Sequence, residues 1–251
     1  MALPSIAPHC PWHALSEMAK PNVKWCEAMT CSWITEPANT WSNLAFILAG
    51  IIIWRDSKKN NLETIKLLGP TVIMMGLFSF IYHASYTFYL QIFDFIGMFA
   101  FIGILLLFNL RRMGVISKDR QVPLFIGGVT FCTALFLFFY WVNIPMQIIV
   151  AVLVVGVVAS EIMARKNANT KPVITEFVKA MACLGVALTF TLLDVTRIWC
   201  NPQNHWIQGH AIWHIFNAAT VYFCYKYYKQ FSLDGETTSN FSNEKLATEN
   251  I

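Results

Sequence analysis

Long apolar segments separated by short polar connections dominate this chain and predict an all-α protein of the membrane. Each segment has roughly 17–22 residues, which is enough for a helix to cross about 30 Å of hydrocarbon. Backbone inside a bilayer must satisfy its own hydrogen bonds, and a helix does so within one segment. We predict an integral membrane bundle of seven transmembrane helices at residues 38–54, 67–86, 90–110, 122–140, 145–163, 174–194 and 208–228.

The polar ends of the chain complete the domain organisation. Residues 1–37 form an arm before the first segment, and they lack the basic and apolar regions of a cleavable signal peptide. Residues 38–230 hold the helical domain. Residues 231–251 are polar and mixed in charge, which is typical of a disordered tail.

Lys and Arg are concentrated in alternate connections, and this asymmetry predicts the orientation of the chain. Basic residues follow the odd-numbered segments, namely Arg55, Lys58, Lys59, Lys66, Arg111, Arg112, Lys118, Arg120, Arg165, Lys166, Lys171, Lys226 and Lys229. The intervening connections carry only Arg197. The positive-inside rule therefore places the N-terminus outside and the C-terminus, with its tail, in the cytoplasm. The net charge of +4 is explained by these loops and does not indicate a nucleic-acid partner.

Three histidines in the apolar segments are the main candidates for functional residues. His210 and His214 are four residues apart and share one face of a helix, while His83 lies near the outer end of the second segment. Ionisable groups at membrane depth are costly and are usually functional. Three imidazoles with a free fourth position suit a catalytic zinc. We predict that these histidines bind Zn²⁺; the alternative for each is a hydrogen bond to a neighbouring helix.

Two further polar residues are expected at the same depth. Ser79 precedes His83 by one helical turn, and Asp94 lies about one turn into the third segment. Asp94 would accept the proton of an attacking water, or it would orient a histidine as a hydrogen-bond acceptor. Ser79 would stabilise the negative charge that develops on a substrate oxygen. Its alternative role is a hydrogen bond back to a carbonyl one turn earlier.

The remaining polar residues of the segments are expected to be structural. Asp194 and Arg197 are predicted to form an ion pair, and Glu161 is predicted to be solvated at the inner interface. The inner half of the bundle otherwise appears almost purely apolar in sequence. Four more residues are expected to form hydrogen bonds between helices: Asn39, Thr40, Ser42 and Asn43. Three histidines lie in polar segments and are not expected to bind metal: His9, His13 and His205.

Four cysteines fall on the predicted outer side, where disulfides persist: Cys10, Cys26, Cys31 and Cys200. Cys26 precedes the first segment and Cys200 follows the sixth. A bridge between these two would tether the arm beside the histidines.

Several stretches of the chain resemble the alkaline ceramidase family, which is part of a wider group of seven-helix hydrolases that includes adiponectin-receptor-like proteins. The matching pieces are WCE at 25–27, EPANTWSNLAF from Glu36, Ser79-x3-His83 with Asp94, and GHAIWHIFNA around His210 and His214. The resemblance implies that the histidines bind zinc and that the serine and aspartate belong to the active site. It also implies hydrolysis of the ceramide amide bond to sphingosine and a fatty acid.

One part of the family pattern is altered in this chain. Calcium-regulated members carry D-W-C-E-x-N followed by a later glutamate. Lys24 and Met29 replace the first and last of these residues, which leaves Glu27 and Glu36. Because calcium prefers six to eight oxygen ligands, we do not expect it to bind here. Lys24 would instead pair with one of the two glutamates.

Three alternatives to a ceramidase follow from the same residues. A receptor or scaffold would use zinc structurally and would close its fourth position with another ligand. A hydrolase could act on a different lipid amide. A transporter would need polar groups along a whole path, which the apolar inner half argues against. For the hydrolase, the partner is a membrane lipid that enters sideways from the outer leaflet. Its site would face the extracytoplasmic side of the cell membrane in a bacterium, or of the endoplasmic reticulum or Golgi in a eukaryote.

Overall fold

The chain folds into helices joined by short connections. The computed structural model describes residues 6–60, 62, 65–166 and 172–231, and every regular element within them is a helix. In chain order these are α1 (His13–Met18), α2 (Pro37–Trp41), α3 (Leu44–Lys59), α4 (Leu68–Ser85), α5 (Phe88–Arg112), α6 (Lys118–Trp141), α7 (Gln147–Lys166), α8 (Thr175–Val195) and α9 (Gly209–Tyr228). The predicted tail lies outside the described residues except for residue 231.

The long helices α3 to α9 follow the seven predicted segments in order. Five of them, α4 to α8, are long and apolar enough to cross a membrane. Helix α3 has 16 residues, and α9 carries His210, His214, Asn217 and Lys226, which lower its apolar character. The chain is thus an all-helical membrane protein. The count of seven spans and the orientation of the termini stay predictions.

The first predicted segment is divided in the structure. Helix α2 ends at Trp41 and α3 begins at Leu44. Between them the amide of Asn43 donates to the carbonyl of Thr40, three residues earlier, at 3.2 Å, and two following amides repeat this spacing. Such 3₁₀-type bonds wind the chain more tightly than an α-helix and change the direction of its side chains. The short helix α2 packs against α4 and α9.

Helices that pack against each other are not always neighbours in the sequence. Helix α9 packs on both α8 and α3, α4 on both α3 and α5, and α6 and α7 on α5. The beginning of α9 therefore meets the end of α8, and α2 bridges α4 and α9. The adjoining ends of α2, α4, α8 and α9 form the surroundings of the predicted site.

A buried polar network occupies the opposite end of the bundle and corrects two predictions. Glu161 is fully buried, and its carboxylate accepts hydrogen bonds from Arg112 at 2.5 Å and from the Tyr227 hydroxyl. Nearby, Asn109 donates to the Ser160 hydroxyl at 3.0 Å. The prediction of a solvated Glu161 was therefore wrong, and so was that of an almost purely apolar inner half. Burying a carboxylate requires such partners, and Arg112 lies 49 residues away in sequence.

An apolar layer separates this network from the polar residues around the histidines. On α5 it contains Phe101 and Leu105, which lie between Asp94 and Asn109; on α9 it contains Val221. The structure thus has two polar clusters at opposite ends, with apolar side chains between them. This arrangement does not provide the continuous polar path that a transporter would need.

Disulfides and hydrogen bonds hold the N-terminal arm against the helix ends. Cys26 and Cys200 form the bridge that we considered, with their Cα atoms 5.5 Å apart, and Cys10 pairs with Cys31. The arm also accepts hydrogen bonds at backbone carbonyls from Tyr86 on one side and from Tyr140 on the other. It therefore covers the end of the bundle where the histidines lie.

Candidate metal centre

Three histidines converge where α4 ends and α9 begins. His83 lies in the last turn of α4, and His210 and His214 lie in the first two turns of α9. All three are buried, and one ligand nitrogen from each lies within 4.8 Å of the other two. The Nε2 atoms of His83 and His210 are 3.2 Å apart. Two nitrogens bound to one tetrahedral zinc at 2.0–2.1 Å would be about 3.3 Å apart. The spacing therefore fits a shared ion.

Each imidazole directs its Nδ1 atom to a side-chain oxygen. The pairs are His83 with Glu36 (2.7 Å), His214 with Ser42 (2.8 Å) and His210 with Thr191 (3.3 Å). Histidines that bind metals usually donate their second nitrogen in this way, which fixes both the tautomer and the ring orientation. The Nε2 atoms remain available as ligands. Within the described residues, the group contains three metal-ligating side chains, so a fourth position is left for water or substrate.

The tautomer of His214 follows from the contacts of Ser42. The Ser42 hydroxyl donates its proton to the carbonyl of Asn39 at 2.9 Å. It must therefore accept the second hydrogen bond, from Nδ1–H of His214. The proton is then on Nδ1, and Nε2 carries the lone pair that a metal needs.

The carboxylate of Glu36 is buried beside His83 and stands at the boundary between the arm and α2. Burial raises the pKa of Glu36 well above its ordinary value, and the negative charge of Glu27 acts in the same direction. A cation bound by His83 would oppose both effects by stabilising the ionised carboxylate.

Sequence reasoning did not identify the three oxygen partners of the histidines. Glu36 was considered for calcium and for a pair with Lys24, and Ser42 for contacts between helices, while Thr191 was not considered. The spacing of Glu36, Asn39 and Asn43 on one face was a signal that this face is buried, and all three side chains are at most 1% exposed. No signal in the sequence pairs them with particular histidines.

Ser79 and Asp94 lie next to each other on adjacent helices. Both side chains are buried, and the Ser79 hydroxyl of α4 forms a hydrogen bond with the Asp94 carboxylate of α5. Ser79 is one turn from His83, and side chains so spaced have Cβ atoms about 5–6 Å apart. The structure thus places the predicted pair beside the histidines. Its contact with Asp94 gives Ser79 a partner other than its own helix backbone.

Asp194 joins the arm to α9. One carboxylate oxygen accepts the amide of Cys26 at 2.8 Å, and the other accepts the amide of His210 at 3.1 Å. The indole of Trp25 stacks on the His210 ring, with centroids 3.5 Å apart. In place of the predicted ion pair, Asp194 binds backbone amides while Arg197 donates to backbone carbonyls of the arm. Sequence spacing indicated that both residues are structural but not these partners.

The two glutamates that remain from the family's calcium pattern are engaged by other groups of the protein. The carboxylate of Glu27 accepts the amides of Ala38 and Asn39, at 2.9 and 3.0 Å, and pairs with His205. Its oxygens therefore cap α2, and Glu36 is engaged by His83. Arg197 takes the carbonyl oxygens of the arm. A calcium ion, which prefers six to eight oxygen ligands, would have to compete with these contacts.

The other histidines lie apart from the central three. His205 contacts Glu27, as described, and His13 contacts the carbonyl of Ile6 at 2.7 Å. His9 lies beside Cys10 and Cys31, but these sulfurs are joined in a disulfide and are not thiolate ligands.

Comparison with known proteins places the chain in a family. The family model described as Ceramidase matches residues 17–247, which includes every long helix and all the residues of the histidine cluster. No curated protein matches the chain. Because the model covers most of the chain, this protein belongs to the ceramidase family of lipid hydrolases.

Proposed function

We propose that this protein is a zinc-dependent hydrolase of the membrane that cleaves the amide bond of ceramide to give sphingosine and a fatty acid. The histidine cluster carries the proposal, because three buried imidazoles converge with each Nδ1 held by an oxygen. An open fourth position favours a catalytic over a structural ion. Ceramide as the substrate is supported by the family.

The catalytic roles that we propose use the side chains beside the histidines. A bound zinc would supply Lewis-acid activation of water and of the amide carbonyl. Asp94 accepts the proton that the attacking water loses and returns it to the leaving amine. Ser79 donates its hydroxyl hydrogen to the developing oxyanion. Once Asp94 is protonated it no longer needs the Ser79 hydrogen, which becomes available to the substrate oxygen.

We further propose that the site opens toward the extracytoplasmic side of the membrane. The histidines lie at the end of α4 and the start of α9, and the positive-inside rule places both ends outside. Ceramide would then reach the site sideways from the outer leaflet, in the cell membrane of a bacterium or in the endoplasmic reticulum or Golgi of a eukaryote. Its acyl chains would lie between helices.

The decisive experiment is to incubate the purified protein with a panel of lipid amides and esters, with and without a zinc chelator. We expect sphingosine and fatty acid from ceramide, loss of this product with the chelator, and recovery when zinc is restored. A protein that holds one zinc per chain and hydrolyses nothing would be a receptor or scaffold with a structural ion. Preferential cleavage of another amide would retain the mechanism and replace the substrate.

A further inference from the structure

Arg197 stands at an unusual point in the backbone. It follows α8 with a φ of +63°, in the left-handed region that residues other than glycine seldom adopt. Its amide donates to the carbonyl of Asp194 at 3.0 Å, so the chain turns sharply here. This turn directs the Arg197 side chain to the arm and away from the α8 helix.

The guanidinium of Arg197 donates hydrogen bonds to three consecutive carbonyl groups of the arm. It donates to the carbonyl of Trp25 at 2.7 Å, to that of Cys26 at 3.3 Å and to that of Lys24 at 3.5 Å. A guanidinium offers five N–H donors in a rigid fork, which suits several acceptors held side by side. Consecutive carbonyls that point to one centre are otherwise an arrangement for binding a cation.

We propose that Arg197 is a positioning residue that acts as a built-in cation of the arm and thereby holds Trp25 against the metal ligand His210. This inference rests on the proposed role of His210 in binding zinc. In this proposal the Arg197 side chain stabilises the carbonyl groups of the arm, as a bound cation would otherwise do.

The restraints on the arm act at different atoms, which gives Arg197 a role of its own. The disulfide to Cys200 and the hydrogen bond to Asp194 both fix residue 26, and the Tyr86 hydroxyl donates to the carbonyl of Val23. The shortest Arg197 contact fixes the carbonyl of Trp25 instead. That contact sets the plane of the peptide next to the indole, and the indole lies 16° from parallel with the His210 ring. Loss of Arg197 would leave the arm attached but its indole poorly oriented.

The test uses Arg197→Met, which keeps the aliphatic stem and removes the guanidinium. We expect faster hydrogen–deuterium exchange in a peptide spanning residues 22–28, and faster release of zinc to a chelator by about tenfold, the lower end of the effect for outer contacts of metal ligands. The defect should fall on kcat rather than on KM, because Arg197 acts through a proposed metal ligand and not on the substrate. Arg197→Lys should recover part of each effect, since one ammonium cannot serve all three carbonyls. Arg120→Met, on an exposed helix start, is the matched control and should behave as the unmodified protein.

A double-mutant cycle with Trp25→Leu tests whether Arg197 acts through the indole. In the Trp25→Leu background, Arg197→Met should add little to the rate of zinc release, because the indole that it positions is gone. Additive effects, or unchanged exchange and zinc release in Arg197→Met alone, would overturn the proposal. Hydrogen exchange needs no zinc. An unmodified protein without zinc would therefore refute the proposed function, while the exchange data would still report on the arm.

Discussion

The half-buried hydroxyl of Ser42 matters for the proposed metal binding because it contacts His214. Because its single proton goes to a backbone carbonyl, it can only accept from His214. Removal of the hydroxyl would leave the Nδ1 proton of His214 without its acceptor in a buried site. The imidazole could then place its proton on Nε2, where it would block the metal.

Substitution of His214 should therefore weaken zinc binding more than substitution of Ser42. His214→Ala should lose most of the bound zinc and nearly all hydrolysis, because two imidazoles hold the ion weakly. Ser42→Ala should keep zinc at saturation but weaken its affinity by roughly 10- to 100-fold. Elemental analysis and competitive titration measure both effects, with the exposed His9→Ala as control. One zinc per chain in His214→Ala would remove that residue from the ligand set.

Substitutions at Asp94 and Ser79 should lower activity without removing the proposed zinc. Asp94→Asn should retain zinc and stop turnover, since the amide is nearly isosteric but cannot accept the proton. Ser79→Ala should lower the rate by on the order of 10²–10³ if its hydroxyl stabilises the oxyanion. Zinc content and single-turnover hydrolysis, measured on the same samples, distinguish these effects from loss of metal. Comparable activity in Asp94→Asn would move the base to another group.

The candidate ligands could be predicted from the sequence, whereas their hydrogen-bond partners could not. His210 and His214 share a helix face because of their spacing, and the orientation of the segments placed His83 at the same depth. The oxygen partners of His83, His214 and His210 lie 47, 172 and 19 residues away. Such pairs arise from helix packing, which a local pattern does not determine.

At the level of helices, the contact between α8 and α9 is set by Gly209. A Cβ atom at this position would lie 2.6 Å from the carbonyl oxygen of Phe190 and 2.8 Å from the Cβ of Asp194. Neither neighbour is the far end of a flexible chain, so a larger residue would force the helices apart. Glycine thus allows α9 to begin close enough to α8 for Asp194 to reach the amide of His210.

Gly209→Ala should consequently lower both the melting temperature and the affinity for zinc. The added methyl displaces the first turn of α9, which carries His210. Gly185→Ala, within α8, is the matched control, because a Cβ there meets no atom within 4 Å. It should be neutral or stabilise the protein by up to about 1 kcal/mol through helix propensity. Equal melting temperatures and zinc affinities for the two variants would contradict the close approach.

The positions of the helices could be predicted from the apolar segments, because the thickness of the membrane constrains the length of a spanning helix. The details at the helix ends could not be predicted in this way. The division between α2 and α3 falls at Ser42 and Asn43, where no proline or glycine marks a break. Glu161 lies near the end of an apolar segment, and its position alone suggested exposure to water. Its burial depends on Arg112 and Tyr227 from two other helices.

For the whole molecule, we predict that calcium does not stabilise the contact between the arm and the helices. Thermal stability should therefore be the same in millimolar calcium and in a calcium-selective chelator, with zinc held constant. A ligand at one hundred times its Kd stabilises a protein by about 2.7 kcal/mol, which corresponds to several degrees in Tm. An upward shift of that size would show that the contacts of Arg197 and Glu27 leave room for the ion.

The bridge between Cys26 and Cys200 has a consequence for how the protein is made. It joins residues 174 positions apart, and two of the three candidate ligands belong to the final helix. A ribosome therefore releases the arm long before either its disulfide partner or most of the metal site exists. During synthesis the arm therefore lacks the disulfide between Cys26 and Cys200 while the intervening helices enter the bilayer. Assembly of the histidine cluster and closure of the arm are consequently late events of biogenesis, so we predict that a chain truncated before α9 would be inserted but would not bind the proposed zinc.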